Sequence, residues 1–234
     1  MKDWSDIVKV KVEHIFHSGF SVETDNYYLI FDYYKGRVNL KDKKTLVFVS
    51  HGHQDHYNEE VFHWQNPNRQ IDYIVSSDIR LVNEDKNIHI LEPYEALTLE
   101  GVKIRTYGST DLGLSFLVNV DGLSIFHSGD LNWWHWESNS QDENLQEERI
   151  FKEELTRIGS QKIDLAFVPV DPRLGDAYNL AGKYFIDIFQ PTYFFPMHFA
   201  DNFSICKDFI HDLGQTSSKV FQIDNENQVF QLQI

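Results

Sequence analysis

His51-Gly52-His53-Gln54-Asp55-His56 places four potential metal ligands within six residues. Imidazole nitrogen and carboxylate oxygen are the usual ligands of zinc, iron and manganese. In an extended loop alternate side chains project to one side, so His51 and His53 can share one ion. Asp55 and His56, beyond a turn, can face a second ion nearby. The stretch starts two positions after Thr45-Leu46-Val47-Phe48-Val49, an apolar run of the kind found in a strand covered on both faces. It therefore lies on the loop at the C-terminal end of that strand, where layered α/β folds favour their active sites.

Outward from this loop the chain reads mostly as short strands. Val8 to Phe16 alternates apolar with polar residues, the period of a half-buried strand, and Ser18-Gly19 breaks it. Phe20 to Glu23 and Tyr27 to Phe31 follow as strands, joined by an Asp25-Asn26 hairpin turn. Asn58 to Trp64 predicts a short helix. Strands are then expected over Ile71 to Val75, Ile88 to Leu91, Glu95 to Leu99, Val102 to Tyr107, Ser115 to Val120 and Ser124 to Phe126, with Asp121-Gly122 turning the last pair. Apolar residues at 145, 150, 151, 155 and 158 have helical spacing, so a helix is expected from Leu145 to Ile158, stopped by Gly159. A strand over Ile163 to Val168, a helix over Tyr178 to Phe189, a strand over Thr192 to Phe195, a helix over Phe203 to Leu213 and two strands near 219 to 233 complete the reading. No linker, repeat or low-complexity segment interrupts it, so residues 1–234 read as a single domain.

Four residues do not complete two metal sites. His127-Ser128-Gly129-Asp130 follows an apolar strand, and Gly129 lets the backbone bend so that Asp130 turns inward. A carboxylate is the side chain best suited to bridge two cations. Phe195-Pro196-Met197-His198 puts a histidine just beyond another strand. Both segments end at the same kind of rim as the histidine loop.

With these residues together, the chain resembles the metallo-β-lactamase fold superfamily, in its lactonase-like and uncharacterised hydrolase branches. The resemblance spans nearly the whole chain: Ile15-Phe16-His17-Ser18-Gly19-Phe20, the Ile30-Phe31-Asp32 strand end, the His-x-His-x-Asp-His loop, the Ser-Gly-Asp turn and the Pro-Met-His ending. It implies an α/β fold, a four-layered αββα sandwich with a dinuclear site between its sheets. By the family's pattern His51 and His53 hold the first metal; Asp55, His56 and His198 hold the second; Asp130 bridges. The same resemblance places Asp32 behind His51 or His53 and His17 on the pocket wall. Metal-bound imidazoles normally donate their other N–H to a carboxylate or carbonyl, which is the part expected of Asp32.

One departure stands out. The family usually supplies a further histidine to the first metal, between the first loop and the bridging aspartate. The matching region, Tyr107-Gly108-Ser109-Thr110-Asp111-Leu112-Gly113, contains none. Asp111 is the first choice of replacement, with Ser109 or a water as alternatives; His127 could also rotate in, although its place on a strand suits a supporting part behind the ligands. A carboxylate there hardens the site toward manganese or iron. Two divalent cations against Asp55, Asp111, Asp130 and a bridging hydroxide also sum to about zero charge.

The expected chemistry is hydrolysis of an ester, lactone, amide or phosphoester, because paired cations acidify a water and polarise the bond under attack. Asp55 is the residue expected to orient or deprotonate that water. No Gly-x-Ser-x-Gly elbow or phosphate loop competes as a catalytic centre. Trp133-Trp134-His135-Trp136 puts three large rings near the rim, where they can stack on a substrate, cap the pocket or pack in the core. Trp133 is the candidate substrate contact among them. Arg173 in Asp171-Pro172-Arg173 can grip a carboxylate or phosphate.

A formal net charge of −15 argues against gripping a nucleic-acid backbone, although bound cations can locally reverse the charge for a small anionic substrate. Acidic tracts such as Asp142-Glu143 and Glu147-Glu148 read as solvated helix faces. The expected partner is thus a small molecule, with neither nucleic acid nor membrane. The single cysteine, Cys206, excludes an internal disulfide framework and reads as a buried small hydrophobe. Met1 to Asp6 has no apolar segment of a secretory leader, so a cytoplasmic location is expected. Two readings compete with the hydrolase: a phosphodiesterase or nuclease, and a metal-binding or di-iron redox protein with little hydrolytic turnover.

Overall fold

A computed structural model describes residues 8–65, 71–81 and 85–234. Among the described residues fourteen strands follow one another: β1 (Lys9–Phe16), β2 (Gly19–Glu23), β3 (Tyr27–Phe31), β4 (Lys44–Val49), β5 (Ile71–Ser76), β6 (Ile88–Leu91), β7 (Ala96–Leu99), β8 (Val102–Tyr107), β9 (Ser115–Val120), β10 (Leu123–His127), β11 (Leu165–Pro169), β12 (Tyr193–Met197), β13 (Lys219–Val220) and β14 (Val229–Gln233). Three α-helices accompany them among the described residues: α1 (Gln141–Ile158), α2 (Leu180–Phe189) and α3 (Ser204–Leu213). The strands form two sheets of seven, ordered β14-β1-β2-β3-β4-β5-β6 and β13-β12-β11-β10-β9-β8-β7. Each sheet has an antiparallel part and a parallel part. This is the α/β sandwich that the resemblance implies.

Burial follows the two-residue period of the strands. In β4, Leu46 and Phe48 join the core between the sheets, whereas Val47 and Val49 join a second apolar cluster on the outer face. That run is covered on both sides, as its lack of alternation predicts. The inter-sheet core is built largely from phenylalanine rings. Phe31 packs on Phe48 at 4.6 Å, and Phe167 packs on Phe20 at 4.6 Å and on Phe195 at 5.2 Å. Helices α2 and α3 cover the second sheet through Phe185 against Phe126 and Phe209 against Phe194. The outer face of the first sheet is covered more thinly, by a 3-10 turn over Glu59–Trp64 and apolar residues such as Val38 and Leu40.

Most expected elements fall within two residues of their places; the differences have local causes. The helix expected from Asn58 is the 3-10 turn, with Asn58 as its N-cap accepting from Glu60 N. Helix α1 begins four residues before the expected Leu145, because its first turn is polar and is set by a Ser140/Glu143 capping box, invisible to apolar periodicity. Before α2 the chain makes a 3-10 turn over Pro172–Ala177, so the helix starts at Leu180 and not Tyr178. Cys206 is buried in α3, as expected. No helix among the described residues is long and apolar enough to cross a membrane. The leader reading at Met1 to Asp6 lies outside the described residues.

Candidate metal centre

The sheet topology brings the singled-out residues to one end of the sandwich. In the first sheet β1, β3 and β4 run the same way, and their C-terminal ends lead into His17, Asp32 and the His51–His56 loop. In the second sheet β8, β10, β11 and β12 share a direction and lead toward Asp111, Asp130, Asp171 and His198. Several exits turn sharply. His17, Asp32 and His198 have φ of 57°, 44° and 67°, left-handed values that cost a non-glycine residue about 1–2 kcal/mol each. Such strain persists where surrounding structure over-determines it, and it clusters at functional sites.

Glycine performs the closest approaches. A Cβ on Gly113 would lie 2.0 Å from Ser50 O, and one on Gly129 would lie 2.5 Å from Leu114 O. Gly113 thus lets the loop after β8 cross Ser50, and Gly129 lets the chain fold Asp130 inward. Thr110 Oγ1 donates to Asn132 O and Asp130 O, tying the Asp111 loop to the Asp130 loop. The histidine loop itself is anchored where Gly52 N–H donates to Asp78 Oδ2 at 2.8 Å.

Proton placement on the imidazoles follows from what stands behind each ring. His56 Nδ1 lies 2.8 Å from Asp32 Oδ2, and His198 Nδ1 lies 3.1 Å from Asp171 Oδ2. A carboxylate only accepts, so both rings carry their proton on Nδ1 and present a lone pair on Nε2. Arg173 Nη2 also approaches His198 Nδ1, at 3.2 Å, but it already donates to Asp171 Oδ2 at 2.6 Å. His51 Nδ1 lies 2.9 Å from Ser50 Oγ, whose hydroxyl donates to Asp32 Oδ2 at 2.7 Å. Asp32 therefore supports His56 directly and His51 only through Ser50. The expectation of a direct bond to His51 or His53 is corrected here, because Ser50 stands between the carboxylate and His51.

The lone pairs converge. His56 Nε2 and His198 Nε2 lie 3.0 and 3.1 Å from Asp130 Oδ1, while His51 Nε2 lies 3.5 Å from Asp130 Oδ2. His56 Nε2, His198 Nε2 and Asp130 Oδ1 are all buried without a hydrogen-bond partner. Buried polar atoms are ordinarily satisfied, and three acceptors pointing at one spot fit a cation. Asp130 faces His56 and His198 with Oδ1 and His51 with Oδ2. Electrostatics agree: burial lowers the His56 pKa, but Asp130 and then Asp32 outweigh it and hold the value up at about 10. A field that favours a proton at that position favours a divalent cation as well. Asp130 itself lies well below the usual carboxylate range, since His56 and His198 outweigh its burial.

The remaining candidates sort themselves around this pair of clusters. Asp55 belongs to the group formed by His17, His56 and His198. Its carboxyl is held well below the ordinary range, first by the His17 imidazole 3.4 Å from Oδ2. Asp111 Oδ2 lies 3.7 Å from His53 Nδ1, and these two group with Asp130. Ser109 Oγ instead accepts the Asp111 N–H. His127 is enclosed: Nε2 donates to Ser18 O at 2.9 Å, Nδ1 accepts from Gly129 N, and the ring stacks on Phe31. Neither nitrogen is available to a cation, so His127 supports the Gly129–Asp130 bend and does not rotate in.

A cleft of about 390 Å³ opens over the clusters, lined by His53, Asp111 and Arg173 among others. Trp133 is not on its wall. That ring packs against Phe151 and Tyr184 in the core, with Lys152 over its face. Trp134 and Trp136 line the cleft instead, stacked parallel at 5.8 Å, with the Arg173 guanidinium 5.8 Å from each ring centroid. Asp171, which the sequence marked only as a flank of Arg173, is fully buried between that arginine and His198. Burial raises its pKa, but His198 and Arg173 outweigh this and bring it down to about 2. Glu147 departs from the solvated-face reading: it is half-buried on the cleft wall, and burial together with Asp111 raises its pKa.

Comparison with known proteins agrees with this fold. Among solved structures, the metallo-β-lactamase fold protein YhfI from Bacillus subtilis superposes with a TM-score of 0.64 at 14% identity, covering 96% of this chain and 99% of that one. Igni18, a metallo hydrolase from Ignicoccus hospitalis, gives 0.60 at 16% identity, covering 96% and 98%. CmlA, a diiron β-hydroxylase from Streptomyces venezuelae, gives 0.59 at 12% identity, with 96% of this chain matching 54% of that longer one. A sequence search among curated proteins returns no match. The profile of the family described as "Beta-lactamase superfamily domain" matches residues 11–198, from β1 to the histidine that follows β12. A match of that extent identifies the family: the chain belongs to the β-lactamase superfamily and carries the metallo-β-lactamase fold.

Proposed function

We propose that this protein is a dinuclear metallohydrolase acting on a small anionic ester, lactone or phosphoester. His56, His198, Asp55 and Asp130 would hold one cation; His51, His53, Asp111 and Asp130 would hold the other. The observation that carries this reading is the convergence of unpartnered, buried His56 Nε2, His198 Nε2 and Asp130 Oδ1 on one spot, with the Nδ1 of each ring tied to a carboxylate. When bound, paired divalent cations lower the pKa of a coordinated water and polarise the bond under attack.

The chain's own residues do the rest. Asp55, ionised across the neutral range, accepts a proton from the attacking water and orients it. Asp32, Ser50 and Asp171 fix which imidazole nitrogens carry protons. Arg173 uses Nε and Nη2 on Asp171, and its guanidinium lines the cleft beside Trp134 and Trp136. That combination suits a substrate with a carboxylate or phosphate next to a flat or apolar group. A net charge of −15 weighs against a nuclease. One observation favours a second reading, a di-iron redox centre: a carboxylate, Asp111, stands beside His53 where a third imidazole is usual, and carboxylates suit iron.

Elemental analysis of protein purified without added metal tests the proposal. Two equivalents of zinc, manganese or iron, lost in Asp130→Ala, are expected. No bound metal and an unchanged melting temperature in chelator would overturn it. Turnover of anionic lactones, phosphoesters or thioesters separates the hydrolase from an iron-loaded protein that shows absorption changes on reduction but no hydrolysis.

A further inference from the structure

Four donor atoms from His17, Asp55, His56 and His198 lie within 4.8 Å of one another, an arrangement that invites His17 into the ligand set. Its surroundings contradict that. The Ala200 backbone N–H donates to His17 Nδ1 at 3.0 Å. A nitrogen that accepts carries no proton, so a neutral ring holds its proton on Nε2, and a protonated nitrogen offers no lone pair to a metal. His56 and His198 have acceptors behind them and present lone pairs; His17 has a donor behind it and presents an N–H.

Resting on the dinuclear reading above, we propose that His17 is a hydrogen-bond donor of the reaction site, its Nε2–H directed at the substrate's carbonyl or phosphoryl oxygen, and a ligand of neither cation. The ring is placed for this. Its side chain is 7% exposed, and Nε2 is buried without a hydrogen-bond partner. Asp55 Oδ2, at 3.4 Å, is close enough to feel the N–H dipole but lies outside hydrogen-bond geometry. The His17 ring centroid stands 4.1 Å from that of His198 and 5.6 Å from that of His56, so Nε2 opens onto the same space as their lone pairs.

Two contacts lock the position. His198 N–H donates to His17 O at 3.2 Å, while Ala200 N–H holds Nδ1. Both His17 and Ala200 take left-handed backbone angles, φ 57° and 49°, and these angles bring the turn after β1 against the chain leaving β12. A buried N–H kept unpaired at such cost has its partner in the bound substrate. No proton leaves His17 in this role; the N–H stabilises negative charge as it develops on the substrate oxygen. Removing one such donor typically lowers kcat by about 100- to 1000-fold.

Three measurements test this. In chelator-stripped wild-type protein, ring ¹⁵N shifts of His17 are expected to show an unprotonated Nδ1 and a protonated Nε2; the opposite tautomer overturns the proposal whatever the protein binds. In His17→Ala, the metal content after dialysis should equal that of wild type, while His198→Ala loses an equivalent. Loss of an equivalent in His17→Ala as well would make His17 a ligand. With 4-nitrophenyl esters or bis(4-nitrophenyl) phosphate as probes, His17→Ala should lower kcat about 100-fold with little change in KM, and His17→Gln, which keeps an N–H near the same place, should recover about tenfold. Wild-type kcat in both variants overturns the donor role. A wild-type protein that binds no metal would instead defeat the dinuclear reading, with the tautomer still decided by its own shifts.

Discussion

Replacing Asp32 with asparagine changes one atom and keeps the side-chain shape, yet neither orientation of the amide fits. Asp32 is fully buried and accepts from Ser50 N on Oδ1 and from the Ser50 hydroxyl and His56 Nδ1 on Oδ2. With the amide oxygen in the Oδ2 position, the NH2 meets the Ser50 backbone N–H, donor against donor. With the amide reversed, the NH2 faces Ser50 Oγ and His56 Nδ1. The His56 proton must then move to Nε2, removing the lone pair that faces Asp130 Oδ1. The Ser50 hydroxyl turns to His51 Nδ1 and inverts that ring too. Hydrogen bonds to a buried charged acceptor contribute about 1.5–3 kcal/mol each, so losing two amounts to about 3–6 kcal/mol. If half falls on cation binding, affinity drops about 10- to 100-fold, the range found for partners of metal-bound histidines. Chelator competition measures the affinity, and urea unfolding in excess chelator measures the remainder. Ser50→Ala removes only the relay to His51 and should give a smaller effect in both. An Asp32→Asn protein that holds cations within about threefold of wild type, with an unchanged urea midpoint, would refute the proton assignments.

Other perturbations separate scaffold from site. Gly113→Ala puts a Cβ 2.5 Å from that of His51 at φ +78°, and should cost more than about 2 kcal/mol of stability together with metal at the His53–Asp111 cluster, read by melting and elemental analysis. His14, packed against Phe20 and Phe199, is pushed by burial from 6.5 down to about 4. The unfolded chain binds that proton first, so stability present above pH 6.5 should fall by about 3 kcal/mol as the pH drops to 4; urea midpoints of His14→Gln should follow pH less steeply. Phe167→Ala, in the middle of the ring cluster, should cost about 3–5 kcal/mol in chemical denaturation without changing metal content. Arg173→Gln should raise KM about tenfold for anionic esters and leave neutral esters unaffected; equal effects on both would remove Arg173 from substrate recognition.

What was legible in the sequence was whatever local pattern encodes. The His51–His56 loop, the Gly129–Asp130 bend and His198 all lie at ends of apolar runs, and strand direction alone then brings them to one rim. Side-chain direction within an irregular loop has no such period. Nothing in Trp133-Trp134-His135-Trp136 says that the first ring enters the core while the second and fourth line the cleft. Glu147 sits on a helix whose charge run looks solvated, and only the folded chain shows it half-buried and near the Asp111 carboxylate.

The division of labour among the histidines was hidden for a deeper reason. His17, His56 and His198 are the same residue in similar burial at similar strand ends, yet two present lone pairs and one presents a proton. The difference lies in the atom behind each ring: Asp32 Oδ2 for His56, Asp171 Oδ2 for His198, and a backbone N–H at Ala200 for His17. The first two partners are side chains that a reader can suspect from composition. The third is a main-chain group, identical at every residue except proline, and it becomes specific only because Ala200 adopts φ 49°. A histidine's part in a metal centre is thus decided by the polarity of its rear contact, and where that contact is backbone, only the folded chain reveals it.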